Sequence, residues 1–229
     1  GELLPTNMSS SYSLTQQIRL PTDIGGACSI EGLSFFFDNI DETRNLKIYL
    51  GHTTKTAFAN ANDFVTSGLT EVFSGNVYFE YEQADIAFST PFEYNGSDNL
   101  VVAVYDQSGD QNGNYAFYTN PTVANRSVSC ISESEISLGA PSGTTACLAQ
   151  RNVMRLVVYP LGMTRNLHLT ACDFTSATVA WDAVSGASYY TVEYALADAQ
   201  GWSNTETVST PEISLSGLTP DTQYKMRVK

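Results

Sequence analysis

Apolar and polar residues alternate along most of this chain with the period of two that a half-buried strand requires, and turn-forming residues interrupt the alternation at short intervals. In "RNLKIYLGHT", Leu46, Ile48 and Leu50 fall on one face and Asn45, Lys47 and Tyr49 on the other. "SIEGLSFFFDN" carries a dense aromatic strand. "NLVVAVYDQ" is apolar on both faces from Leu100 to Tyr105, the pattern of a central strand covered on two sides. The closing "LTPDTQYKMRVK" reads as a turn and then a strand, with Tyr224, Met226 and Val228 on one face and Lys225, Arg227 and Lys229 on the other. Helical periodicity is absent. "TKTAFANANDFV" is the one stretch that suits a short helical turn, because Phe58 and Phe64 stand beside capping-type Asn and Asp; an irregular loop fits it equally. The pattern predicts an all-β, antiparallel chain.

The alternation also divides the chain. A strong strand from Val153 to Tyr159 ends at Pro160-Leu161-Gly162, and a new series of strands follows, with Val179 and Trp181 sharing one face and Val192, Tyr194 and Leu196 another. A boundary near residue 163 separates a larger β-sandwich, 1–163, from a smaller one, 164–229.

Composition narrows the setting. Of 229 residues, 42% are hydrophobic and only 15% charged, which suits globular domains with a sizeable core. The net charge of -13 and pI near 4.3 argue against nucleic acid or an anionic membrane as partner, since phosphate binding needs clustered Lys and Arg. No run approaches the roughly eighteen apolar residues of a membrane span, so insertion into a membrane is not expected. Thirteen Tyr beside abundant Ser, Thr and Asn are the palette of extracellular sandwiches, which favours a secreted or cell-surface location.

The chemistry-bearing residues are few. Cys28, Cys130, Cys147 and Cys172 show no C-x-x-C spacing, and His52 and His168 are the only histidines, so a zinc site is not expected. Cys130 and Cys147 flank "ISESEISLGAPSGTTA", where a disulfide would clip neighbouring strands; two reduced, small core residues fit as well. His52 reads as a surface residue of the turn "YLGHTT" and His168 as a solvent-facing strand residue, which leaves no base for a nucleophilic triad. Glu80, Glu82, Asp85, Glu133 and Glu135 could be drawn into carboxylate pairs, but solvated surface charge is the default for an acidic chain. No phosphate loop, dinucleotide fingerprint or nucleophile elbow is present. No catalytic residue is assigned and no enzyme activity is expected.

Ligand-like density is confined to "YDQSGDQNGNYAFY", where Asp106, Ser108, Asp110, Asn112 and Asn114 present oxygens at a spacing of two. Calcium favours such hard ligands, and Asp106, Asp110 and Asn112 are its candidates; a plain Asp, Gly and Asn-rich turn is the competing reading. An EF-hand fails, because the twelfth residue is Phe117 counted from Asp106 and Pro121 counted from Asp110. The same loop leads into Tyr115, Phe117 and Tyr118, and an aromatic beside amides and carboxylates is a common platform for a sugar ring. Alternatively Tyr115 and Phe117 turn inward and Tyr118 lies outside. Trp202, in "DAQGWSNTET", is a second candidate platform or a cover for a sandwich edge.

Two resemblances add to this reading. Trp181, "YYTVEY" from Tyr189 to Tyr194, and "LTPDTQY" with Leu218, Pro220, Thr222 and Tyr224 resemble a fibronectin type III domain over 164–229. The resemblance implies that Tyr224 forms the tyrosine corner before strand F. It also implies an incomplete immunoglobulin-like sandwich, because no residues remain for strand G, and a natural polypeptide that continues past Lys229. "RNLKIYLGHTTKTAF", "PFEYNGSDNLVVAVYDQSG" and "RNVMRLVVYP" resemble the cleaved-adhesin type of module in secreted surface proteins of Bacteroidetes-type bacteria. That likeness implies an antiparallel, jelly-roll-like β-sandwich, often stabilised by calcium, with a role in adhesion or in multidomain surface assemblies. The expected function is non-catalytic adhesion or ligand binding, with a glycan or a host or bacterial surface protein as partner. The alternative is an accessory or spacer section of a larger secreted hydrolase, a protease or glycosidase, with further domains of the same chain as neighbours.

Overall fold

A computed structural model describes residues 3–113, 115–184 and 186–229. The chain divides into two compact units, Gly1–Leu161 and Gly162–Lys229. The first contains β1 (Tyr12–Arg19), β2 (Cys28–Phe36), β3 (Glu42–Thr53), β4 (Thr70–Phe79), β5 (Gln83–Tyr94), β6 (Asn99–Asp106), β7 (Thr119–Pro121), β8 (Ser127–Ser132), β9 (Thr144–Leu148), β10 (Gln150–Asn152) and β11 (Met154–Pro160). A six-stranded sheet runs β4-β3-β6-β1-β8-β9, a three-stranded sheet runs β11-β2-β5, and β10 pairs with β7. All of these pairings are antiparallel. The architecture is the jelly-roll-like sandwich that the alternation and the resemblance implied.

The main core lies where the two larger sheets face each other. Leu46, Ile48 and Leu50 of β3 meet Ile30, Leu33 and Phe35 of β2 there, all fully buried. Strand β6 runs inside the six-stranded sheet and is covered on both sides. Leu100, Val102 and Val104 enter the core between the sheets, while Ala103 and Tyr105 enter a second cluster with Leu14, Val128, Phe58 and Phe64. Each wholly buried Val or Leu of this strand contributes about 1.5–3 kcal/mol relative to exposure, which makes β6 the strand whose disruption the unit tolerates least.

One open local reading is decided and one expectation changes. The stretch around Phe58 and Phe64 is an irregular loop, because its polar side chains bond the backbone of their own turns. Asp63 accepts the Ala59 N–H at 2.8 Å and the Lys55 ammonium at 2.6 Å, and Asn60 accepts the Asn62 N–H at 2.9 Å, which leaves no helical ladder to form. Among the described residues the single turn of helix is α1 (Pro21–Ile24), where Pro21 occupies the first position, Asp23 accepts the Leu20 N–H at 2.8 Å and Gly25 ends the turn at φ 97°. His52 belongs to β3, not to a turn. Its ring lies 5.0 Å from that of Phe92 and 5.8 Å from that of Tyr94, and its Nε2 accepts the Asn95 N–H at 3.1 Å.

The second unit contains β12 (His168–Cys172), β13 (Ser176–Ala180), β14 (Tyr190–Leu196), β15 (Asn204–Val208), β16 (Glu212–Ser216) and β17 (Tyr224–Val228). They form two antiparallel sheets, β12-β13-β16 and β15-β14-β17. Trp181, Tyr190, Val192, Ile213 and Leu215 make up its buried core, and the rings of Trp181 and Tyr190 meet edge to face at 5.3 Å. Met226 and Val228 pack against this core, as the alternation predicted, while Tyr224 lines an open groove beside it. Among the described residues no strand pairs with the outer edge of β17.

Candidate binding site

The loop whose oxygens are candidate calcium ligands is organised around a cation of the protein's own. The Asp106 carboxylate is fully buried and accepts from the Thr6 hydroxyl, from Arg44 Nε at 2.8 Å, and from the Ser108 hydroxyl at 2.6 Å and N–H at 3.1 Å. Arg44, also fully buried, extends its Nη1 to Asp110 Oδ1 at 2.7 Å and its Nη2 to the Asp110 carbonyl at 3.2 Å. The guanidinium thus bridges the two carboxylates that were the candidate calcium ligands. Asn112, the third, donates to Glu42 at 2.8 Å. Asn114 lies outside the described residues. Among the described residues no group of three or more His, Cys, Asp or Glu is placed to hold a metal.

The aromatic candidates separate. Tyr115 packs on the main core and donates its hydroxyl to Glu42 at 3.2 Å, and Phe117 is buried in an edge-to-face cluster with Phe37 and Phe79, with centroids 5.3–5.7 Å apart. Tyr118 is 47% exposed, while its backbone bridges Phe36 and Val153. In the second unit, Trp202 is half-buried and carries the Arg227 guanidinium 4.5 Å from its ring centroid, with the Lys225 ammonium at 5.3 Å. A ring contacted by two cations is a cover for the β17 face more than an open sugar platform.

Cys130 and Cys147 stand on the adjacent strands β8 and β9, but Cys130 pairs with Thr145 and Cys147 with Val128, which puts them two residues out of register. Both thiols are free, the reduced alternative and not the clip, as are those of Cys28 and Cys172. Burial pushes the Cys28, Cys130 and Cys147 thiols above their ordinary pKa. The carboxylates considered as pairs are engaged separately: Asp85 accepts from Ser34 at 2.5 Å and from Arg155, and Glu133 accepts from Ser11 and Gln111, each at 2.7 Å.

The exposed constellation that the sequence reading missed lies at the tips of two turns. Phe37 and Phe79 leave their ring cluster directly into the turns Asp38-Asn39 and Glu80-Tyr81-Glu82, and the Phe37 N–H bonds the Glu82 carbonyl at 3.1 Å, holding the turns together. Asn39 and Tyr81 both take left-handed backbones, at φ 52° and 65°. Tyr81 is 81% exposed. With Asp38, Asn39, Glu82 and Gln83 it lines an open cleft of about 600 Å³. A bulky residue at positive φ stores strain of order 1–3 kcal/mol, and such strain concentrates where a side chain has to be presented in one direction. No Gly or Pro marks this turn, so "YFEYEQADIAF" reads as uninterrupted strand and conceals it.

Among the open concavities of the second unit is a groove of about 510 Å³ lined by Val179, Tyr194, Leu215 and Met226 and bordered by Leu169 and Phe174. At one end of it the Thr219 N–H donates to Tyr224 Oη at 3.0 Å, a bond that lowers the phenol's pKa and ties the loop before β17 to the strand itself. This is the tyrosine-corner contact the resemblance implied.

Residues 163–229 match the fibronectin type III domain family. Overlays on solved structures include the FN1-FN3 domains of chicken CNTN1, at 12% identity and a TM-score of 0.27, and domains A168-A170 from titin, at 13% identity and 0.26. They cover 81% and 94% of this chain, which spans 50% and 60% of those structures. At such scores the overlays carry no argument. No helix among the described residues is long and apolar enough to cross a membrane.

Proposed function

We propose that the chain is a non-catalytic adhesion or ligand-binding section of a secreted or cell-surface protein, in which the jelly-roll-like unit binds through the Tyr81 cleft. The observation that carries this reading is the presentation of Tyr81. It is an exposed aromatic held at positive φ on a rigid three-ring base, beside two carboxylates and two amides. The ring face supplies apolar contact and the polar groups supply orientation, the combination that a sugar ring or a protein side chain needs. The fibronectin type III match supports a modular protein of the extracellular kind, and the likeness of the first unit to cleaved-adhesin modules points to adhesion at a bacterial surface. No metal or cofactor enters this reading.

The test is a glycan and matrix-protein binding screen of the whole chain and of its Tyr81→Gly variant. Glycine relieves the left-handed strain, so the variant is expected to be about 0.5–1 kcal/mol more stable while losing at least about tenfold in affinity. A ligand bound equally by both proteins would refute the placement of the site. Silence of the parent across the panel would favour the spacer role in a larger secreted hydrolase.

A further inference from the structure

Strand β1 alternates to its end: Leu14 and Ile18 turn to the second apolar cluster, and Gln17 and Arg19 turn to the opposite side, where β10 lies. There Arg19 Nη2 donates to the Asn152 carbonyl at 2.6 Å, while its Nε is buried without an acceptor. The Asn152 side chain, 2% exposed, accepts from Gln17 Nε2 through Oδ1 at 2.6 Å and leaves its own Nδ2 unpartnered. That amide is oriented by the backbone, because Gln17 Oε1 takes the Asn152 N–H at 2.8 Å and only the Gln17 nitrogen is left to face Oδ1. Two buried donors of one hydrogen-bonded network therefore lack acceptors, a costly condition that native interiors avoid. Asp23 does not relieve it, since its carboxylate is committed to both Arg151 Nη atoms and to the Leu20 N–H. Burial, and after it the Arg151 guanidinium, lower the Arg19 pKa from 12.5 to about 10 against the opposing pull of Asp23. The surroundings of Arg19 thus hold a cation whose counter-charge is already shared with another.

Beside Arg19 opens a cavity of about 120 Å³, lined also by Asp23 and Ile24 of α1 and by Met154, Leu156 and Val158 of β11. Its charge and its walls select the occupant. Arg19, Arg151 and Asp23 sum to one positive charge, which a monoanion neutralises and a dianion exceeds, with the excess set against Asp23. Four apolar side chains would strip water from an inorganic anion and return no hydrogen bond, but they suit the chain of an organic acid. A cavity of about 150 Å³ holds benzene, about six heavy atoms, so this one holds about five or six, a carboxylate with a chain of about two or three carbons. We infer that the cavity binds a short-chain monocarboxylate, whose oxygens supply the acceptors that Arg19 Nε and Asn152 Nδ2 lack, the second directly or through a water, and whose chain lies against Leu156 and Val158. Asn152 positions the guanidinium through its carbonyl. The inference uses none of the residues of the Tyr81 cleft and stands apart from that reading.

The experiment titrates the whole chain with sodium propionate at constant ionic strength and follows the methyl NMR signals of Ile24, Met154, Leu156 and Val158. Saturable shifts confined to those methyls are expected, with a Kd of order 1 mM. Propionamide, of the same shape without the charge, should bind at least about tenfold more weakly, and inorganic phosphate should not displace propionate. Arg19→Met removes a charge that has no partner of its own, so the variant should keep the parent Tm or exceed it while losing at least about tenfold in propionate affinity. Val158→Phe fills the cavity with Arg19 left in place and should block binding equally; it carries the decision if the first variant does not fold. The absence of saturable shifts, which would leave water alone to satisfy the two donors, would overturn the inference. So would equal binding of propionamide, displacement by phosphate, or undiminished propionate binding in either folded variant.

Discussion

Replacing Arg44 by Met tests whether the loop after β6 is held by a guanidinium. In the parent protein Arg44 and Asp106 are both fully buried, with Nε 2.8 Å from Oδ2. Met fills the volume of the arginine stem but leaves the Asp106 carboxylate buried with only the Thr6 and Ser108 donors. Removing one member of a buried, hydrogen-bonded pair costs about 3–5 kcal/mol, since the remaining charge has lost its solvation without compensation. The second bridge adds little, because the Asp110 side chain is 57% exposed and such a pair contributes about 0–1 kcal/mol. For a unit of this size a loss of 3–5 kcal/mol corresponds to a fall in Tm of about 6–20 °C. The double variant Arg44→Met with Asp106→Leu should recover part of the loss, with about 1–3 kcal/mol remaining because the Thr6 and Ser108 hydroxyls lose their carboxylate acceptor and keep only Ser13 and the Asn45 N–H as partners. Denaturant unfolding of the parent, both single variants and the double variant gives the coupling directly. Because Arg44 already bridges Asp106 and Asp110, millimolar calcium should leave the parent Tm unchanged. A loss below about 1 kcal/mol for Arg44→Met, or a calcium-dependent rise in the parent, would refute the claim that Arg44 takes the place of a metal.

Two further predictions concern titration and thiols. Asp63, held down by the Ala59 N–H and then by Lys55, and Asp85, held down by the Ser34 hydroxyl and then by Gln83, both have folded pKa values below the ordinary carboxylate range. Their stabilisation is complete above the unfolded value of about 4 and is lost as pH falls through the depressed folded values, so Tm should be level from neutral pH to about 5 and drop below about 4. Asp63→Asn should flatten that drop, and an unaltered acid limb would count against the assignment. Timed alkylation followed by peptide mass spectrometry should modify the exposed Cys172 first and Cys147 more slowly, with the buried Cys28 and Cys130 reacting only on unfolding. A Cys130–Cys147 peptide linked before reduction would overturn the free-thiol assignment.

What could be read in the sequence was what depends on neighbours along the chain. The two-sided burial of β6 followed from six consecutive apolar residues, Leu100 to Tyr105, and the inward turn of Met226 and Val228 from simple alternation. Features that depend on residues brought together from afar were not legible. Arg44 and Asp106 are 62 positions apart, and nothing near Arg44 distinguishes it from a solvated strand-end residue. The oxygens at spacing two after β6 fit a plain turn or calcium ligands equally in form, because the strand register that delivers Arg44 to them cannot be deduced from either segment alone. The pairing of Cys130 and Cys147 stayed open for a related reason: their proximity in a hairpin was foreseeable, but the offset of two residues is set by the length and path of the loop between them.

The Tyr81 cleft was concealed for a different reason. Turn chemistry is recognised through Gly, Pro, Asn and Asp because those residues adopt turn backbones at little cost, so a turn made by a residue that adopts its backbone at a cost leaves no mark. Tyr81 can hold φ 65° only because the ring cluster of Phe37, Phe79 and Phe117 and the bond from the Phe37 N–H to the Glu82 carbonyl determine the path of the chain on both sides of it. The strain and the anonymity therefore have one origin. A glycine there would have announced the turn and relaxed it, and it would have removed the ring whose exposure makes the cleft a binding site.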